Sequence, residues 1–479
     1  MANQEANLKK VLGLGDVMSI GAGQIIGAGV MALTGIAIGM TGSGVTLAFV
    51  ISSVFTLFMV LPIAVMGSAI PTTGGLYRYT SRLLSPKIGF FWLTLFILAQ
   101  LTLAMYSISF AEYVQGLVPS APLKLVAFTL LTVFFIANLV GVKFAALVEK
   151  FMVIILLLAL IVFVVWGMPE VNYAVFNTGE MFSGGFVGFF MAVGLLSFAT
   201  GGAQVVAELG GEMKNPGRDI PLTIIVTTLA IGLLYAFMAT IAVGVLPIAD
   251  VANMPLTDVA RTILPGPLFI FFMVGGAMFA LATTLNATLS WVTKGIMIAC
   301  EDGWLPKSLG KVNKRFGTPH WLLTLFYIIG VIPIVTGLSL GLISALGTGV
   351  FLLSNIIPVF AATKLPKKYP ELYKRAPFKL SPLVLNTIVY IGVALLLFQG
   401  YLLMSSLSYK IIIGAVVYMA AAAIYVTIVG NSPKYGLNKT LHFENASDSN
   451  VGNDSNVKLE TAATLGEAIP IAKPNTQLD

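Results

Sequence analysis

Four glycines fall within the nine residues Gly21-Ala22-Gly23-Gln24-Ile25-Ile26-Gly27-Ala28-Gly29, inside an otherwise apolar stretch. A glycine in a helix interior costs roughly 0.5–1 kcal/mol relative to alanine. A helix crossing this run is therefore expected to break. The break frees backbone N–H groups at the start of the next half-helix, and such an end attracts a carboxylate. A second stretch, Leu196-Ser197-Phe198-Ala199-Thr200-Gly201-Gly202-Ala203-Gln204, repeats the theme with a Gly-Gly pair beside a threonine. Taken alone, the first run also fits close helix packing, since Gly23 and Gly27 stand four apart in a small-xxx-small pattern. Two interrupted segments at corresponding places favour broken helices that line a binding site.

Other polar side chains lie in apolar surroundings. Gln24, Gln100, Gln204 and Asn286 are candidates for a polar pathway. Equally, they can serve as interhelical hydrogen-bond partners, worth about 0.6 kcal/mol on average. Glu112 and Glu208 are the acids well inside apolar stretches. Glu208 follows Gln204 by one turn and is a candidate proton carrier, or the partner of a basic residue at the membrane edge. Thr283, Thr284, Asn286, Thr288 and Ser290 cluster in one stretch. Thr283, Ala287 and Ser290 share a helical face, where hydroxyls can ligate sodium or simply bond to their own helix backbone. No charged side chain occupies either glycine-rich centre, which favours a neutral ligand. His320, His442 and Cys300 form no nucleophile–base pair and no metal-ligand set, so no enzyme activity, metal or cofactor is expected.

The surrounding chain decides what positions these residues. Of 479 residues 57% are hydrophobic and 10% charged, where soluble domains carry roughly 25% charged residues. Such a chain belongs in a bilayer. About 20 apolar residues span one, and twelve candidate spans follow: 15–40, 44–67, 88–117, 122–142, 150–168, 185–210, 220–246, 266–299, 321–338, 341–363, 383–404 and 409–430. With the N-terminus inside, 24 of the 27 basic residues fall on the inner side, leaving Lys124, Arg261 and Lys410 outside. That asymmetry predicts an even span number and both termini in the cytoplasm. No cleavable signal peptide is expected. The net charge of +7 is scattered over short connections, so nucleic acid is not an expected partner. A GxGxxG nucleotide fold would need a strand and a βαβ unit, and neither is present in the pattern. Residues 431–479 turn polar and rich in Asn, Ser and Asp, and are read as a disordered cytoplasmic tail.

Four motifs in order resemble the amino acid–polyamine–organocation superfamily of secondary transporters. They are Gly23-Gln-Ile-Ile-Gly27-Ala28-Gly29, Ile70-Pro-Thr-Thr-Gly-Gly-Leu-Tyr77, Glu212-Met-Lys-Asn-Pro-Gly-Arg-Asp-Ile-Pro221, and Asp302-Gly-Trp-Leu-Pro306 followed by Val312 to Pro319. The resemblance implies an all-α integral membrane fold. It would be a LeuT-like 5+5 inverted repeat with two additional helices, giving 12 transmembrane helices. Its parts would be a cytoplasmic N-terminus 1–14, repeats 15–168 and 185–363, the additional helices 383–430, and the tail 431–479. The substrate site implied consists of Gln24, Ile26, Gly27, Ala28, Gly29, Phe198, Ala199, Thr200, Gly201, Gly202 and Thr288. In it the amides of Gly27, Ala28 and Gly29 hold a carboxylate. Carbonyls of Thr200, Gly201 and Gly202 face the amino group, and Phe198 is an aromatic gate. Gln204, Glu208, Thr283 and Ser290 are the coupling candidates. Many relatives carry an acid where Gln204 stands, and some carry a lysine where Leu156 stands. Their absence favours exchange of a neutral amino acid across the plasma membrane over proton or sodium symport. A channel or receptor on the same fold is the alternative from another class.

Overall fold

The computed structural model describes residues 8–177, 179–404 and 408–431. The expected tail beyond residue 431 and the first seven residues of the N-terminal segment lie outside the described residues. In chain order the first helices are α1 (Leu14–Ile25), α2 (Ala28–Thr41), α3 (Val45–Ala69), α4 (Gly75–Leu83), α5 (Pro86–Ala99), α6 (Thr102–Leu117), α7 (Leu123–Val140), α8 (Val142–Gly167), α9 (Gly185–Ala199) and α10 (Pro216–Val245). After the short α11 (Ile248–Val251), α12 (Leu256–Ile263) and α13 (Gly266–Phe271), a π-helical stretch Phe272–Met278 leads into α14 (Phe279–Trp291) and α15 (Lys294–Glu301). Then come α16 (His320–Thr336), α17 (Leu340–Ala361), the short α18 (Leu365–Lys368) and α19 (Pro370–Arg375), α20 (Pro382–Met404) and α21 (Tyr409–Asn431). Two isolated bridges, Leu12 with Met213 and Thr73 with Leu209, are the β-pairings found among the described residues.

Ten helical stretches among the described residues are long and apolar enough to cross a membrane, and His320–Thr336 is apolar but shorter. One of the ten, Gly29–Ala69, covers two of the expected spans because only the tight turn Gly42–Gly44 separates α2 from α3. The chain is thus an all-helical, multi-pass membrane protein. Its lipid-side residues, such as Phe151, Val165, Leu229 and Tyr390, are exposed, as a bilayer solvent allows.

Both glycine-rich stretches interrupt their helices. α1 stops at Ile25, Ile26 leaves helical geometry at φ −80°, ψ 87°, and α2 restarts at Ala28. α9 stops at Ala199, and the chain resumes as a 3₁₀ turn over Ala203–Glu208. The two breaks meet: α2 packs along α9, and α1 packs on the 3₁₀ turn. α3 packs along α10 beside them, while α20 lies on α3 and α17.

Two boundaries differ from the sequence reading. The stretch expected at 88–117 is divided at Gln100–Leu101 between α5 and α6. The stretch expected from 150 begins at Val142, because Gly141 alone, at φ 142°, turns the chain from α7 into α8. The residues Lys143 to Lys150 are ordinary helix formers, and their two charges at the end read as a loop only by composition. Glu149 consequently sits inside a helix and is fully buried.

Two of the four motifs bind each other at one end of the bundle, and a third is held there by α15 and by the chain just before α1. Tyr77 donates from its hydroxyl to Asp302 Oδ2 at 2.8 Å, and Arg82 reaches both carboxylate oxygens of Asp302. Burial holds the Tyr77 phenol well above its ordinary pKa, so it remains a donor. Lys294 pairs with Glu212 at 2.9 Å, both buried. Arg78 reaches Glu301 at 3.5 Å, Lys143 pairs with Asp16 at 2.6 Å, and Lys214 N–H donates to Leu12 O at 2.9 Å. At the other end Asn253 N–H bonds Gly35 O, Asn172 N–H bonds Gly244 O, and Lys124 bonds Val335 O.

Candidate functional site

A cavity opens where the two breaks meet. Its wall includes Gln24, Gly27 and Gly29 from the first break, and Phe198, Ala199, Gly201, Gly202 and Gln204 from the second. Thr56, Met59 and Val60 of α3, Gln100 at the α5–α6 break, and Thr284, Thr288 and Trp291 of the α14 region complete the near side. Phe351, Leu352 and Asn355 of α17, with Leu396 and Gln399 of α20, form another side. No Asp, Glu, Lys, Arg or His lines it. The wall is therefore neutral, with backbone polar groups and amides set among aliphatic and aromatic side chains.

The backbone is exposed here for steric reasons. Gly202 has φ +133°, a region L-residues rarely enter, and a β-carbon there would lie 2.7 Å from Gln24 O. At Gly29 a β-carbon would stand 3.1 Å from the Ala199 Cα, so the close approach of the breaks depends on its absence. The N-cap of α2 is Gly27, with no side chain to satisfy the first amides. Those amides have no acceptor within the helix, and they carry the partial positive charge of a helix start. In the second break, Gly202 N–H donates to Gln204 Oε1 at 3.0 Å. Gln204 thus stabilises the unwound turn from within.

Side chains brace the breaks. Gln24 Oε1 accepts from Trp291 Nε1 at 2.9 Å and from Thr288 Oγ1 at 3.2 Å. Thr284 Oγ1 lies 2.9 Å from Gly23 O and 3.3 Å from Ile26 O, beside its own helix carbonyl at 2.8 Å. Thr56 Oγ1 and Thr200 Oγ1 are 2.7 Å apart, and Thr56 donates to Ser197 O at 3.0 Å. In this way α3 and α14 hold the ends that the breaks leave loose. Half-buried Phe198 faces the cavity.

Of the expected substrate-site residues, Gln24, Gly27, Gly29, Phe198, Ala199, Gly201, Gly202 and Thr288 line this one cavity. Ile26 is fully buried behind it and Ala28 opens α2. Thr200 is turned toward Thr56. Among the coupling candidates only Gln204 reaches the wall. Thr283 bonds Phe279 O and Ala280 O of its own helix, and Ser290 bonds Ala287 O. Glu208 Oε1 accepts from Leu76 N–H at 2.9 Å, and its carbonyl accepts from Gly74 N–H at 2.9 Å, so it anchors the start of α4.

Three participants escaped the sequence reading of the site. Thr284, one residue from Thr283, is the hydroxyl that touches the first break. Asn355 and Gln399 reach the cavity from α17 and α20, whose glycines interrupt neither helix. The side-chain oxygens Asn355 Oδ1 and Gln399 Oε1 have no hydrogen-bond partner. Only tertiary packing could place them.

Two broken helices lining a neutral cavity inside a multi-pass membrane protein are the arrangement expected of a secondary transporter. The chain belongs to the amino acid permease family, whose model, described as "Amino acid permease", matches residues 12–430. It is similar to the branched-chain amino acid permease BcaP of Bacillus subtilis, 28% identical over 86% of this chain and 93% of that protein. The serine/threonine exchanger SteT of the same organism is 25% identical over 68% of this chain and 77% of its own. An aspartate-proton symporter, also from Bacillus subtilis, is 24% identical over 69% of this chain and 68% of its own. The protein is accordingly an amino acid permease of the amino acid–polyamine–organocation superfamily.

Proposed function

We propose that this permease carries a neutral amino acid across the plasma membrane by alternating access and works as an exchanger. The observation that carries the reading is the cavity at the two breaks, with helix-start amides on one side and no charged side chain in its wall. A zwitterion fits that chemistry. Its carboxylate meets the α2 amides at Ala28 and Gly29, beside the Gly27 N–H, which donates to Ile25 O at 3.0 Å, and its ammonium meets carbonyls around Thr200, Gly201 and Gly202. A charged side chain would find no counter-ion. Met59, Val60, Leu352 and Leu396 offer an aliphatic side chain room among like groups. Two relatives, a branched-chain permease and a serine/threonine exchanger, are named for neutral substrates, whereas a third is named for aspartate.

Exchange is favoured by the lack of a charged switch in the cavity wall: Gln204 is bound to Gly202 N–H, and Leu156 is buried. Thr283 and Ser290 donate to carbonyls of their own helix, and neither lines the cavity. In this reading the chain is a transporter without an enzymatic step. Its fold is the twelve-helix, 5+5 inverted repeat with repeats at 15–168 and 185–363 and two added helices at 383–430. Contact between α2 and α9 and between α3 and α10 supports it, since corresponding elements of two repeats pack on each other.

In proteoliposomes, a labelled neutral amino acid is expected to enter vesicles loaded with unlabelled substrate and to be nearly excluded from empty ones. Strong concentrative uptake into empty vesicles, driven by a proton or sodium gradient, would replace exchange by symport. The basic asymmetry further places both termini in the cytoplasm. In a Cys300→Ser background, a cysteine at position 143 should be shielded from an impermeant thiol reagent in intact cells. Labelling there, with none at position 124, would invert the topology.

A further inference from the structure

The helix boundary at Val142 brings an acid into the bundle that the transport reading does not use. Glu149 is 0% exposed on α8, where α8 packs against α1 and α14. Its Oε2 accepts from Asn286 Nδ2 at 2.7 Å. Asn286 is spent on this arrangement: its amide also donates to Ala145 O, and its Oδ1 accepts from Asn138 Nδ2 at 3.0 Å. Glu149 Oε1 has no hydrogen-bond partner at all. It lies against Gly23, where a β-carbon would collide with it, and that same β-carbon would be 3.1 Å from the Thr283 Cβ.

Among the described residues no cation pairs with the carboxyl. On its own helix, Lys143 is paired with Asp16 of α1, and exposed Lys150 reaches toward Gly15. α14 and the π-helical stretch hold no titratable side chain. On α10, Arg218 and Asp219 stand in the first turn, while Tyr235 packs against Phe49. Lys124 of α7 is bound to Val335 O at the opposite end. Asp258 on α12 and Glu170 just past the end of α8 are themselves acids, and Arg261 on α12 makes none of the ion pairs found among the described residues. Isolated charge in such a place is strongly disfavoured. Something must neutralise it, and no group of three or more His, Cys, Asp or Glu that could hold a metal ion occurs among the described residues.

We propose that Glu149 is a proton-binding site at the root of the first helix break, and that the transport cycle runs with this carboxyl protonated. The proposal rests on the transport reading only for its kinetic consequence. Gly23, against which Oε1 packs, also lends its carbonyl to Thr284 at the cavity wall. Ionisation of Glu149 would therefore push on the segment that positions the substrate amides. Deprotonation leaves a charge that the packed α1–α8–α14 contact cannot accommodate. The sign follows: exchange slows as pH rises, because the proton is lost.

Two measurements test this. First, exchange is recorded against pH for the parent and for Glu149→Gln, which keeps the shape and the acceptor for Asn286. Glu149→Leu serves as a second neutral replacement should the glutamine variant not fold. The parent should lose several-fold in rate toward alkaline pH, while the neutral variants hold the acid rate throughout. A flat parent profile, or a variant profile as steep as the parent's, overturns the proposal. Second, infrared absorption of the reconstituted protein reads the carboxyl directly and needs no transport. The parent should show a protonated-carboxyl band at neutral pH that disappears in the neutral variant. A spectrum unchanged by the substitution overturns the proposal even if exchange is confirmed, whereas the band without exchange would spare it and defeat the transport reading.

Discussion

Gly202→Val is expected to bring amino acid uptake down to the level of protein-free vesicles. The new side chain meets two obstacles. Position 202 has φ +133°, and its β-carbon would lie 2.7 Å from Gln24 O. A non-glycine residue held in such a backbone region costs about 1–3 kcal/mol, and valine's branched β-carbon adds stiffness. The collision also strikes the backbone of the first break, so one substitution disturbs both halves of the site. Gly201 gives the contrast: a β-carbon there meets Ser197 O only at 3.3 Å and has no positive φ to strain. Gly201→Ala should retain much of the uptake. The check is initial uptake rate normalised to folded protein in the membrane. Normal rates in Gly202→Val would show that the close approach of the breaks is dispensable.

Lys294→Met is expected to destabilise the fold by about 3–5 kcal/mol, the range for removing one partner of a buried ion pair. Lys294 and Glu212 side chains are 3% and 1% exposed, 2.9 Å apart. Removing the lysine leaves the Glu212 carboxylate buried without a cation. Replacing both, as Lys294→Met with Glu212→Leu, removes the stranded charge and should recover most of the loss. The apparent melting temperature of the detergent-purified variants decides this. A single variant as stable as the parent would mean that Glu212 finds water or another partner. This pair joins the stretch after the second break to α15, so its loss should also slow exchange.

How far the sequence reached depended on which physical signal each feature carried. The two breaks were legible because glycine is costly in a helix and clusters where the helix has to stop. The interruption at Gln100–Leu101 was not, since neither residue is a helix breaker and the bend comes from packing. Glu149 was missed because Glu-Lys beside an apolar run looks like a membrane edge, whereas a single positive-φ glycine at 141 had already turned the chain. Glu208, read either as a proton carrier or as the partner of a basic side chain, accepts from a backbone amide of α4, a contact the sequence could not show. Thr283 and Thr284 are neighbours in sequence and both stand at Gly23, and only the rotation of α14 decides that the Thr284 hydroxyl reaches the Gly23 carbonyl. The motifs after α3, after the second break and after α14 were readable as a family pattern. The hydrogen bond between Tyr77 and Asp302 and the ion pair of Glu212 with Lys294 required the fold.

The most direct measurement of the central claim is counterflow into proteoliposomes with the internal compound varied. Vesicles are loaded with a neutral amino acid, with its amide lacking the carboxylate, or with a cationic amino acid, and entry of labelled neutral substrate is timed. Recognition of a zwitterion by the free amides at the first break predicts acceleration by the neutral amino acid alone. Equal acceleration by the amide would contradict the account, because it would show that the carboxylate is not what the broken helices hold.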